Sequence, residues 1–165
     1  YGAPVTRDPG PVPTADAWAI AVEFFAGVAP IFEAAGAVLA FEPNPAAYNC
    51  RFVTSTPEAY RLVAAINRPG VRVNLDGGTI FLNDEPASEI ASAIPLVAHV
   101  HASEPHLAPL GSTGSDHSRI ARVIATAGYD GWCSVEMRSQ EDWTGNLERA
   151  ARLMHRFYLA PSPQL

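Results

Sequence analysis

The apolar positions of this chain switch between helical spacing and short β-rich runs in a regular order. The alanine-rich stretch Thr14 to Ala35 predicts a first helix, with Thr14 as N-cap and Gly36 as its stop. A strand over Ala37 to Glu42 follows and ends at Pro43-Asn44-Pro45. Thr56-Pro57-Glu58 opens a second helix, with threonine capping it, proline at its first position and Pro69-Gly70 after its end. Val71 to Asp76 reads as the second strand, broken by Gly77-Gly78. A short helix around Pro86 to Ile94 leads to a third strand, Leu96 to His101. Asp116 to Ala127 is helical up to Gly128, Trp132 to Glu136 is a fourth strand, and Trp143 to Tyr158 forms the last helix.

Strands separated by helices pair in parallel through right-handed crossovers. Strand ends at 42, 76, 101 and 136 give repeats of 34, 25 and 35 residues, the unit size of a (β/α)8 barrel or a doubly wound sheet. Alternation within the strands separates the two. One face carries Val38, Ala40 and Glu42; Arg72, Asn74 and Asp76; Val97, His99 and His101; Trp132, Ser134 and Glu136. The other carries Leu39 and Phe41; Val71, Val73 and Leu75; Ala98 and Val100; Cys133 and Val135. A doubly wound sheet buries both faces under helices and reads apolar throughout, whereas a barrel turns one face to a shared interior where polar side chains can pair. The α/β barrel fits, and the 165 residues, 48% hydrophobic, suit one packed core and a single domain over 1–165.

Charge narrows the function. A net charge of −6 lacks the basic stripe that nucleic-acid binding needs. All 11 basic residues are arginine, so Schiff-base chemistry and Walker-type phosphate binding, both of which require a lysine, are excluded. No apolar run reaches the ~20 residues that span a bilayer, so no membrane partner is expected. Cys50 and Cys133 make neither a disulfide framework nor a four-cysteine zinc site. Residues 1–13 hold four prolines and no apolar core, so no signal peptide is read there and a cytoplasmic setting is expected.

Glu42, Asp76, His101 and Glu136 each close a strand on the same inner face. In a parallel barrel such ends converge on the rim where active sites form. Three carboxylates brought together need a cation, and with one imidazole they make a donor set suited to Mn²⁺ or Mg²⁺, with Co²⁺ or Zn²⁺ also fitting.

The same residues carry a resemblance. Leu39-Ala-Phe-Glu-Pro43, Asn74-Leu-Asp-Gly-Gly78, His99-Val-His-Ala-Ser-Glu104 and Gly128-Tyr-Asp-Gly-Trp-Cys-Ser-Val-Glu136 resemble the successive strand motifs of the xylose isomerase-like TIM-barrel superfamily, closest to its sugar phosphate isomerase/epimerase group. The resemblance covers residues 37 to 137 well and implies a (β/α)8 barrel of which this chain supplies roughly the last four βα units. It implies one divalent metal bound by Glu42, Asp76, His101 and Glu136. Glu42 and Glu136 would be the catalytic acid/base pair, moving a proton through a metal-stabilised enediolate of a small sugar or other hydroxycarbonyl substrate. A dehydratase on the same scaffold, or a catalytically incomplete half-barrel, is the alternative. An abasic-site endonuclease wants more metals and more histidines than this acidic chain offers.

The sequence departs from the family at two places. Many members carry a histidine three residues after the aspartate, where Thr79 stands here. Ketose epimerases often carry an arginine six residues after the metal histidine, where this chain has Leu107 beside His106. His106 and His117, in the loop after the third strand, are therefore candidate substrate-binding residues. So are Asn49 and Arg51, in the loop after Glu42. Glu104 is expected to orient His101 from behind. Trp18, Phe24, Phe25, Ile31 and Phe32 are read as core residues of the first helix, and Tyr1-Gly-Ala-Pro4 as the exit of a preceding strand. Four strands leave two open edges, so the chain is expected to close either as a homodimer or against a separate N-terminal half-barrel.

Overall fold

The computed structural model describes residues 7–159; the reading of Tyr1-Gly-Ala-Pro4 falls outside them. Four strands, β1 (Leu39–Phe41), β2 (Val71–Asp76), β3 (Val97–Ser103) and β4 (Trp132–Glu136), pair in parallel in the order β1-β2-β3-β4. A sequential, all-parallel order is an arc of a barrel, since a doubly wound sheet reverses direction at a switch point. Six α-helices are described: α1 (Thr14–Ala34), α2 (Thr56–Ile66), α3 (Gly77–Leu82), α4 (Ala87–Ala93), α5 (His117–Thr126) and α6 (Trp143–Leu153).

The outer, apolar strand face forms the core. Phe41, Val71 and Val73 pack with Ala59, Leu62, Val63 and Ile66 of α2, and the inner side of α1 lies against them. Leu75 and Val100 meet Ile80, Ile90, Ile120 and Ile124 from α3, α4 and α5. Burying one such branched side chain contributes about 1.5–3 kcal/mol, so this half of the alternation fixes the sheet's orientation and leaves the polar half facing inward.

Register then sets the site. Asn74 pairs with His99, Asp76 with His101, and His101 with Ser134, while Ser103 pairs with Glu136. Because strand side chains alternate faces, Asn74, Asp76, His99, His101, Ser103, Ser134 and Glu136 all point inward.

Several expectations are corrected. β1 is shorter than expected and Val38 is 46% exposed; among the described residues the strand pairs on one side, with β2. β3 runs two residues past His101, adding Ser103 to the inner face. Gly77-Gly78 does not end regular structure; it starts α3. The N-cap of α1 is Pro13 with no side-chain bond, and α2 is capped by Ser55, whose hydroxyl accepts from the Glu58 N–H. The last helix passes into a π-turn over Met154–Tyr158. Phe24 and Ile31 are 60% and 69% exposed, on the side of α1 that turns away from the sheet. α1, although interrupted by Asp16, Glu23 and Glu33, is long and apolar enough to cross a membrane by length and composition; Trp18, Ala21, Val22, Phe25 and Ala26 pack one side of it against the core.

Candidate active site and metal centre

β2 and α3 build the firmest part of the site. Asp76 ends β2 and caps α3, its Oδ1 accepting from the Thr79 N–H at 2.6 Å. Its Oδ2 accepts from the Ser103 hydroxyl, and that hydroxyl accepts from the Gly78 N–H at 2.8 Å. The two glycines are there for space: a Cβ on Gly77 would sit 2.8 Å from the Ser103 carbonyl oxygen, and one on Gly78 2.9 Å from that of Glu104. This close approach locks Asp76 against β3. Thr79, fully buried, donates its hydroxyl to the Pro43 carbonyl at 3.1 Å and so ties the segment after Glu42 to α3. The residue standing at the family's histidine position is thus occupied with the fold.

One ligand atom from each of Glu42, Asp76, His101 and Glu136 lies within 4.8 Å of all the others. His101 Nδ1 is 3.1 Å from Glu42 Oε2 and 3.2 Å from Glu136 Oε2. Burial opposes the imidazolium, but hydrogen bonds to Glu136 and Glu42 and the charge of both outweigh it, pushing His101 up to about 10. Asp76 is pushed up to about 6 by burial and by the Glu42 charge, against the hydrogen bonds from Ser103 and Thr79. His99 is held below its usual range by burial and by neighbouring His101, and its Nε2 lies 2.7 Å from Ser134 Oγ.

Asn74 belongs to this cluster, although its polarity at an inner position was the one sign of it in the sequence. Its amide nitrogen donates to Glu42 Oε2 at 2.6 Å and lies 3.2 Å from His101 Nδ1. The second contact is a hydrogen bond when Nδ1 has lost its proton, since two donors repel. Asn74 Oδ1 is buried without a partner. Three converging carboxylates, an imidazole that takes up a proton to hold them together, and a carboxyl raised by its neighbours fit a divalent cation. Any of the four side chains can donate to it, and their mix of oxygens with one nitrogen suits a borderline or hard metal.

The other predicted residues divide. His106 is exposed at the rim, and its backbone N–H donates to the Tyr48 hydroxyl at 2.7 Å. Asn49 is exposed in a left-handed conformation, and Arg51 is exposed and 3.6 Å from Asp8. His117 is corrected: it opens α5 at 1% exposure, bonded to the Tyr158 hydroxyl at 2.9 Å and to Glu104 at 3.3 Å, so it faces the core and not a substrate. Glu104 is corrected with it. Its carboxylate, fully buried, accepts from the Gly111 and Thr113 N–H groups and contacts His117, holding the loop after β3 in place of orienting His101.

With strand order, inner-face cluster and rim in place, the chain belongs to the xylose isomerase-like TIM barrel family, whose sequence model matches residues 2–157. Among solved structures it resembles an apo 3-keto-D-glucoside 4-epimerase from E. coli, at TM-score 0.78 and 17% identity, over 90% of this chain and 59% of that one. A D-psicose 3-epimerase crystallised in the presence of D-fructose matches at TM-score 0.74 and 17% identity, over 91% and 59%. The IOLI protein with a bound zinc atom matches at TM-score 0.74 and 15% identity, over 96% and 62%. The chain therefore spans about three fifths of the length of these neighbours. No curated protein matches it by sequence.

Proposed function

We propose that this chain carries the metal and proton-transfer site of a sugar epimerase or isomerase acting on a small ketose or related hydroxycarbonyl compound. The observation that carries the reading is the convergence of Glu42, Asp76, His101 and Glu136 within 4.8 Å on one barrel rim. The sugar-epimerase neighbours support the reaction class, and the zinc-bearing neighbour supports a divalent metal.

Glu42, Asp76, His101 and Glu136 would hold the cation, with Asp76 fixed by Ser103 and Thr79. A divalent cation bound there supplies Lewis acidity to substrate oxygens beside the reacting carbon. Glu42 follows β1 and Glu136 ends β4, the first and last strands of the arc, which supports a carboxylate on each side of a substrate bound there. One carboxylate removes the proton beside the carbonyl. The other returns a proton, to the opposite face in an epimerisation. Asn74 holds the Glu42 carboxylate in place through its amide, limiting the swing of the acid/base group.

The test is solvent exchange. The metal-loaded complete barrel, incubated with a ketose in deuterium oxide, should place deuterium on the carbon next to the carbonyl. A product lighter by one water would assign a dehydratase, and absence of exchange by the metal-loaded barrel would refute proton abstraction.

A further inference from the structure

Above the four-residue cluster, three loops meet at one small turn, Pro105–Leu107. His106 and Leu107 both hold left-handed backbone, φ 59° and 55°, which non-glycine residues rarely adopt. Strain of this kind persists where surrounding contacts impose it. Here the contacts come from the loops after β1, β3 and β4. The Leu107 N–H donates to the Glu104 carbonyl at 3.0 Å, and the Arg138 N–H donates to the Leu107 carbonyl at 2.9 Å. From the other side, the Tyr48 hydroxyl accepts the His106 N–H at 2.7 Å while the two rings meet edge to face, centroids 5.6 Å apart.

Tyr48 is thereby fixed as an acceptor, and its own O–H proton has no acceptor among the described residues. Burial holds the phenol above its usual range, and the charges of Asp76 and Glu136 add to this while the His106 hydrogen bond and Arg138 oppose it, so the hydroxyl keeps its proton; the turn that carries it follows β1, on the rim where Glu42 closes that strand. A neutral donor, oriented at the rim by its own strained clamp, is built to meet an oxygen. We infer that Tyr48 is a substrate-binding and specificity-determining residue, donating its hydroxyl proton to a substrate hydroxyl at the rim of the site. The inference rests on the sugar-epimerase reading and adds the residue that selects among polyhydroxy carbonyl compounds.

The experiment measures equilibrium binding of D-fructose and its monodeoxy analogues to Mn²⁺-loaded wild-type protein and Tyr48→Phe, with Mn²⁺ stoichiometry measured in parallel. Loss of one hydrogen bond should weaken D-fructose about tenfold in Tyr48→Phe with manganese content unchanged. One deoxy analogue, lacking the hydroxyl that Tyr48 meets, should bind both proteins equally. Equal D-fructose affinity in both proteins overturns the inference. An equal loss across every analogue also overturns it, because it shows Tyr48 acting through the fold alone. Manganese binding without any ketose binding by the wild type overturns the sugar-epimerase reading itself, and Tyr48's role with it.

Discussion

His101 sits where positive charge is most needed, between the carboxylates of Glu42 and Glu136, and without a metal it supplies that charge by holding a proton. The consequence for pH follows from the sign of the shifts. Both Asp76, raised from 3.8 to about 6, and His101, raised from 6.5 to about 10, bind protons more tightly folded than unfolded. Each contributes stability that is full below its unfolded value and lost as pH rises through its folded value. The metal-free protein should therefore lose stability between pH 3.8 and about 6 from Asp76 and between pH 6.5 and about 10 from His101. A cation displaces the His101 proton, so the rise in melting temperature on adding Mn²⁺ should grow across the latter interval, measured by calorimetry. About one proton should be released per metal bound within it; uptake with no proton release would contradict the His101 assignment. Glutamine at position 42 or 136 keeps an oxygen donor and removes the base. Glu136→Gln should retain metal and lose activity in the complete barrel by roughly 10²–10⁴-fold, read from turnover and metal content together.

At the scale of elements, the inner-face phase of all four strands was legible because alternation is a property of each strand alone. Glu42, Asp76, His101 and Glu136 fall together in the structure for that reason. What was not legible depends on contacts between strands and loops. Gly77-Gly78 read as a break, yet the pair exists to let α3 lie against the β3 backbone. His117 and Glu104 carry the same polar side chains as site residues, and only tertiary packing reveals that they satisfy each other beneath the loop. Asn74 showed only its polarity at an inner position, and Tyr48 has no spacing signature. A direct check of the glycine argument is Gly77→Ala: its Cβ would meet the Ser103 carbonyl at 2.8 Å, a rigid neighbour that cannot step aside. Overpacking of this kind costs about 1–3 kcal/mol, so denaturant titration should show a lower midpoint. An unchanged midpoint would mean that β3 and α3 are free to separate.

On the scale of the whole molecule, the four strands leave both edges of the sheet open among the described residues. Apolar surface flanks each edge: Ile20, Phe24 and Ile31 on α1 at one end, Trp132, Trp143 and Leu147 at the other. Exposed patches beside open edges favour association. Two copies joined edge to edge supply eight strands, but each seam then receives both an α1 and an α6, one helix more than a barrel seam accommodates. A complementary half that begins and ends with a strand fits without excess. We therefore expect the isolated chain to associate without forming a closed, active homodimer. Light scattering with a turnover assay checks this, and an active 17.6 kDa monomer would contradict it.

The central claim is that the four inner-face side chains form one metal site, and a Mn²⁺ titration of purified, metal-stripped protein tests it most directly, comparing wild type with Asp76→Ala and His101→Ala. The account predicts one tight site per chain in the wild type and its loss in both variants, with the fold intact by circular dichroism. Undiminished binding in folded variants, or no binding by the wild type, would contradict it.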